Sequence, residues 1–374
     1  MNLYYRITIS LLNALILTYI TSCDDSGEGG NPNESVDQQA LLQNLGENFI
    51  IPAYQELNRD VTDLQSATTS FVTSPEQATL AILRNDFISA YKSWQYCSML
   101  EFGPADAIIL RGSLNIYPTD NELIESNIES GNYNLDAANS TVAKGFPAID
   151  YLLYGTGADD SAVLTYFSDT EKGTARLQYL NDVVSDVASR TSQVLSDWSP
   201  SGGNYMNTFA TSTGTSVGSS LGQMVNAFLL DYERFVRDGK VGIPAGIRSA
   251  GVPRPGTTEA FYSGISIDLA VESLEAYQRM FQGNSFANDA SGQGFDDYLK
   301  DLDREQLSND IINQLELTKT TVAALDNPLS ATVENDNQKV QEAYAEMQKL
   351  VVLMKVDMAS ALGVLISYQD NDGD

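Results

Sequence analysis

The stretch from Asn335 to Leu362 constrains the fold more than any other part of the chain. Val340, Ala343, Tyr344, Met347, Leu350, Val351, Met354, Met358 and Ala361 recur there at i, i+3, i+4 and i+7, the spacing that gathers apolar side chains on one face of a helix. Such a stripe is stable only against another apolar surface, and the chain supplies several. Ser35 to Leu64 has helical spacing with Pro52 placed to kink or restart it. Ser74-Pro75 reads as a serine cap with proline at the first position, opening a helix through Phe87, Tyr91, Trp94 and Cys97 to Phe102 and the stop at Gly103-Pro104. Thr119-Asp120-Asn121-Glu122 is a capping box. Asp169–Trp198, Val217–Arg237, Thr258–Phe281 and Leu307–Leu325 continue the pattern, and no convincing strand alternation interrupts it. The expected architecture is all-α: two packed helical-bundle halves, an internal duplication, spanning residues 35–200 and 201–374 and divided at the Ser199–Asn204 loop.

The first residues concern destination rather than fold. An apolar run from Ile7 to Ile20 follows one basic residue, and Ile20-Thr21-Ser22-Cys23 reads as a lipobox. Residues 1–22 are therefore expected to be a cleaved signal peptide, Cys23 the lipidated N-terminus, and residues 23–34 an acidic, Gly-rich flexible tether. Several acyl chains anchor firmly where one would not, so the expected location is the outer membrane, on its periplasmic side or at the cell surface. The expected membrane partner is reached through that N-terminal lipid.

Composition removes whole classes of function. With 21 Lys+Arg against 50 Asp+Glu the net charge is −29, a field that repels nucleic acid and anionic lipid. Cys97 would be left without an intrachain partner once Cys23 is lipidated. There is no histidine, so every histidine-based triad, general base and metal site is excluded.

The segment Lys144-Gly145-Phe146-Pro147-Ala148-Ile149-Asp150-Tyr151-Leu152-Leu153-Tyr154-Gly155 carries one carboxylate within an apolar run. It resembles the G-x-H-x-x-E signature of the imelysin-like family. Gly145 matches, Pro147 stands in place of the histidine and Asp150 in place of the glutamate. The resemblance extends along the chain. It includes Phe49–Tyr54, Ala90–Trp94 with Glu101–Asp106, Asn115–Asp120, Asp231-Tyr232-Glu233 with Lys240–Gly246, and the Asp370–Asp374 terminus. It implies a duplicated helical-bundle fold, a site near the junction of the halves, export, and a link to bacterial iron acquisition. The family name implies a metallopeptidase.

In an H-x-x-E helix the two side chains lie one turn apart and can share a metal. Here Pro147 has no donor atom, although it suits a helix N-terminus, where a missing N–H costs nothing. Three readings of Asp150 stand open. It is an ion-pair partner of Arg111, Lys240 or Arg248; a ligand or substrate contact; or one ligand of an all-carboxylate metal site drawn from Glu101, Asp120 and Glu233. Binding-site candidates are thus Gly145, Pro147, Asp150, Glu101, Arg111, Asp120, Lys240 and Arg248. The first functional reading is a non-catalytic binding component of iron or haem uptake; the alternative is a metallopeptidase with a carboxylate-only site. Iron, haem or another metal is the cofactor class considered, none is required by the sequence, and a monomer working with iron- or haem-uptake proteins is expected. The acidic terminus Asp370–Asp374 ends before the bidentate glutamate of a calcium loop and reads as a tail.

Overall fold

The structure is a computed structural model, and it describes residues 37–288 and 290–369. The expected signal segment, Cys23, the expected tether and the Asp370–Asp374 terminus lie outside the described residues. Two long helices joined by a three-residue turn start the fold. Ile51–Thr73 buries Leu57, Val61, Leu64 and Phe71, and Gln77–Cys97 buries Leu80, Leu83, Phe87, Tyr91 and Trp94. These are the positions that helical periodicity selects. Gly173–Trp198 packs on the first of the pair.

On the other side, Ser266–Phe281 packs on Gln77–Cys97 and also on Glu305–Ala323. Glu305–Ala323 then meets Asn337–Val351, which covers Asp231–Gly242. Helix packs on helix throughout, and among the described residues the only strand-like pairing is an isolated bridge between Asn284 and Ser291. The all-α expectation holds. The described residues form one compact unit, and the Gln77–Cys97 helix is in contact with elements from both sides of residue 200.

Local chemistry meets expectation at Pro52 and departs from it at two other places. Pro52 restarts a helix: it occupies the first turn of Ile51–Thr73, after a wide π-type turn over Leu45–Ile50. The second helix begins later than Ser74-Pro75, because Glu76 caps it and its backbone N–H donates in return to Thr79 Oγ1 at 3.1 Å. The largest difference concerns Thr258–Phe281. Only Ser266–Phe281 is α-helical. Thr258–Ile265 is mostly irregular because Ala260 and Gly264 take positive φ values of 50° and 73°, which no helix tolerates.

Two further π-type stretches matter for function. Tyr151–Gly155 continues the short Gly145–Asp150 helix. Asp231–Gly242 continues Ser220–Leu230. In a π-type helix a turn takes between four and five residues, so Asp231, Phe235 or Val236, and Lys240 come to share one face. An α-helical turn would put Asp231 and Lys240 on opposite sides.

Candidate functional site

Gly145 begins the site with a steric demand. Its φ is +71°, and a Cβ there would lie 2.2 Å from the Leu114 carbonyl oxygen. Glycine is required so that the Gly145–Asp150 helix can press its first turn against the end of Leu110–Leu114. Pro147 sits in that first turn, where its missing N–H has no intrahelical acceptor. Phe146 stacks on Tyr91 with ring centroids 4.7 Å apart, which fixes the helix against the Gln77–Cys97 helix.

Asp150 is 1% exposed at the end of this short helix. Its carboxylate faces no base. One oxygen accepts the backbone N–H of Tyr262 at 2.9 Å, and the other accepts that of Ser263 at 3.0 Å. The ion pair with Arg111, Lys240 or Arg248 is replaced by two amides of the Thr258–Ile265 segment, which became available because that segment is not helical. Burial pushes the Asp150 carboxyl up to about 6, against the opposing pull of the Ser263 and Tyr262 donors, and the nearby Glu259 charge adds to the rise. A cavity of about 30 Å³ adjoins it, lined by Tyr117, Pro147, Asp150, Thr258, Phe261 and Tyr262 among others. That is room for one or two waters.

A second polar cavity of about 10 Å³ lies beside Gln95, Arg111, Asn115, Asp231 and Lys240, and Tyr117 borders both. Two buried ion pairs surround it. The Lys240 ammonium pairs with Glu259 and donates to Gln95 Oε1 at 2.7 Å. Glu259 also accepts from Asn115 Nδ2 at 2.8 Å, and Asn115 Oδ1 accepts the Tyr91 hydroxyl at 2.8 Å. Arg111 pairs with Asp231 at 2.6 Å, and the other Asp231 oxygen accepts the Tyr277 hydroxyl at 2.7 Å. The Arg111 guanidinium stacks over the Phe235 ring at 4.0 Å and donates to the Ser98 carbonyl. Glu101 accepts the Arg111 backbone N–H at 3.1 Å. Burial pushes the Glu101 carboxyl up to about 7, partly offset by the Arg111 charge.

Pro147 and Asp150 therefore meet at one cavity, with Gly145 opening the short helix that carries both, and Arg111 and Lys240 meet at its neighbour with Glu101 attached through Arg111. The remaining candidates lie elsewhere. Asp120 is exposed and caps its helix by accepting the Leu123 N–H at 2.9 Å. Arg248 pairs with Asp238 at 2.6 Å. Glu233 accepts from Lys355 at 2.7 Å and from the Tyr368 hydroxyl at 3.2 Å. Glu101, Asp120 and Glu233 are thus engaged in three separate interactions, and they do not combine into the carboxylate-only metal site.

Sequence reasoning missed Glu259, Gln95 and the two loop amides. Glu259 was hidden because Thr258–Phe281 has helical spacing; the nearby Gly256 and Gly264 were the available signal. A metal implied by the peptidase resemblance does not fit the residues at this motif. Pro147 offers no donor, so Asp150 is the one metal-ligating side chain left in the motif. Among the described residues no group of three or more His, Cys, Asp or Glu is placed to hold a metal ion.

The chain as a whole is similar to known proteins. A family model described as Imelysin (peptidase M75) matches residues 50–354. The iron-regulated protein A of Synechococcus elongatus is 21% identical over 193 residues, which are 52% of this chain and 48% of that protein. The chain thus spans about half the length of that curated relative. A crystal structure assigned as an iron-regulated protein A precursor from Parabacteroides distasonis has a TM-score of 0.72 at 18% identity, covering 89% of this chain and 97% of its own. An imelysin-like protein from Psychrobacter arcticum gives 0.63 at 16% identity, with the same two coverages of 89% and 97%. At such identities the two structures establish a shared fold, while the family match covers most of the sequence. This chain belongs to the imelysin family.

Proposed function

We propose that this protein is an exported, lipid-anchored, non-catalytic binding component linked to iron or haem uptake, with its site at the Asp150 cavity. The observation that carries the non-catalytic reading is the use made of the family motif. Asp150 holds a loop through two backbone amides, and Pro147 brings no donor to the position where the family places histidine. A hydrolase needs a group that activates water or attacks a carbonyl. With no histidine in the chain and no donor at Pro147, this segment leaves Asp150 alone, its oxygens holding backbone N–H groups and no motif partner beside it to bind a metal. The cavity draws its lining from both sides of residue 200, with Pro147 and Asp150 from one and Thr258, Phe261 and Tyr262 from the other. That supports a site at the junction of two helical halves.

The link to iron rests on the relative named iron-regulated protein A. Export and lipidation rest on the lipobox ending at Cys23. The reading predicts no peptide hydrolysis by purified protein with zinc or ferrous iron added, and higher expression in iron-starved cells. Chelator-sensitive cleavage that disappears in Asp150→Asn would overturn the non-catalytic assignment. Expression indifferent to iron would overturn the link to uptake.

A further inference from the structure

We propose that the Asp150 cavity binds the ammonium head group of a small organic cation. This rests on the reading of the cavity as a binding site and names the class of ligand it takes. The first observation is an electrostatic imbalance. Asp150 is 1% exposed and borders the cavity, yet among the described residues no lysine or arginine pairs with it. The cations nearby are committed elsewhere: Lys240 to Glu259 and Arg111 to Asp231. Asp150 is the one charged residue in the cavity lining, so the cavity carries a negative charge with no cation of its own. Two amide donors stabilise a carboxylate but carry no net charge.

The second observation is the character of the walls. Tyr117, Phe261 and Tyr262 line the same cavity, with Pro147 adding an apolar surface. Aromatic faces attract a desolvated cation, most of all an alkylammonium whose carbon substituents also favour apolar contact. A divalent metal prefers several oxygen ligands, and Asp150 is the one carboxylate in the cavity lining. Size sets the third limit. A volume of about 30 Å³ admits a group the size of one or two waters. Pro118, Gly256 and Phe261 in its lining are exposed, so the cavity lies at the protein surface and the rest of a larger amine can remain outside.

The Tyr262 and Ser263 amides bond directly to the carboxylate and therefore report its occupancy. Titration of the ¹⁵N-labelled protein with ethylammonium chloride should shift both amide resonances saturably, while sodium chloride at equal ionic strength should not. Phe261→Ala removes one aromatic wall at a partly exposed position and should weaken binding at least fivefold with the melting temperature unchanged. Asp150→Asn should abolish the response. The proposal is overturned if the two amides do not move, if magnesium or sodium moves them as far, or if Phe261→Ala binds as tightly as the parent. Peptide cleavage by the protein would sink the non-catalytic reading and leave these shifts in place, so the two failures are distinguishable.

Discussion

Replacing Lys240 by methionine tests the buried network most sharply. The Lys240 and Glu259 side chains are 5% and 0% exposed. In Lys240→Met, Glu259 keeps the Asn115 donor at 2.8 Å but loses its counter-charge, and Gln95 Oε1 loses the ammonium donor at 2.7 Å. An ion stranded in the interior costs far more than its pairing energy in water, because the desolvation penalty is no longer offset. The expected loss is about 3–5 kcal/mol. The exposed pair Lys172–Glu129, at 46% and 71% exposure, supplies the contrast. Lys172→Met should cost about 1 kcal/mol or less. Adding Glu259→Gln to Lys240→Met removes the stranded charge and should recover most of the loss, since an ion pair replaced as a unit is often close to neutral. Guanidinium denaturation at pH 7.5, with the slope checked for constancy across variants, gives all three values. A loss below about 1 kcal/mol for Lys240→Met would mean that Glu259 is not held in a dry interior, and the reasoning would fail.

Two other substitutions follow from the site. Gly145→Ala places a Cβ 2.2 Å from the Leu114 carbonyl oxygen at a φ of +71°; left-handed strain and the backbone clash together should cost about 3–5 kcal/mol in the same denaturation assay. Asp150 has a folded-state pKa raised from 3.8 to about 6. The native state therefore takes up protons that the unfolded state does not, and this group's contribution to stability is fully present below pH 3.8 and lost as pH rises through about 6. Relative to Asp150→Asn, the parent should gain about 2–3 kcal/mol between pH 7 and pH 4. A difference that stays flat across that range would show that the carboxyl is not buried.

The fold was largely legible because helical bundles are written in a single periodicity. Leu80, Leu83, Phe87, Tyr91 and Trp94 are spaced for one face and are buried on one face. The site was legible only in part, for two physical reasons. Periodicity of 3.6 assumes that every turn is α-helical, and it places Asp231 and Lys240 on opposite sides of a helix. The wider turns of Asp231–Gly242 bring both to one cavity. The second reason is that backbone groups have no sequence signature. The partners of Asp150 are the amides of Tyr262 and Ser263, exposed by the left-handed residues Ala260 and Gly264 inside a segment whose side chains alternate as a helix would. Charged residues could be listed from sequence, but their pairing could not. Arg111 was a candidate, while Asp231 appeared only within a family motif.

Asp150 fastens the Thr258–Ile265 loop through its two oxygens. Amide hydrogen exchange at Tyr262 and Ser263 measures that directly. Both amides should be protected in the parent, Asp150→Ala should release both, and Gly264, whose N–H bonds to the Ala260 carbonyl at 2.9 Å, serves as the neighbouring internal reference. Free exchange of Tyr262 and Ser263 in the parent, or protection that survives Asp150→Ala, would contradict the assignment of Asp150 as the residue that holds this loop.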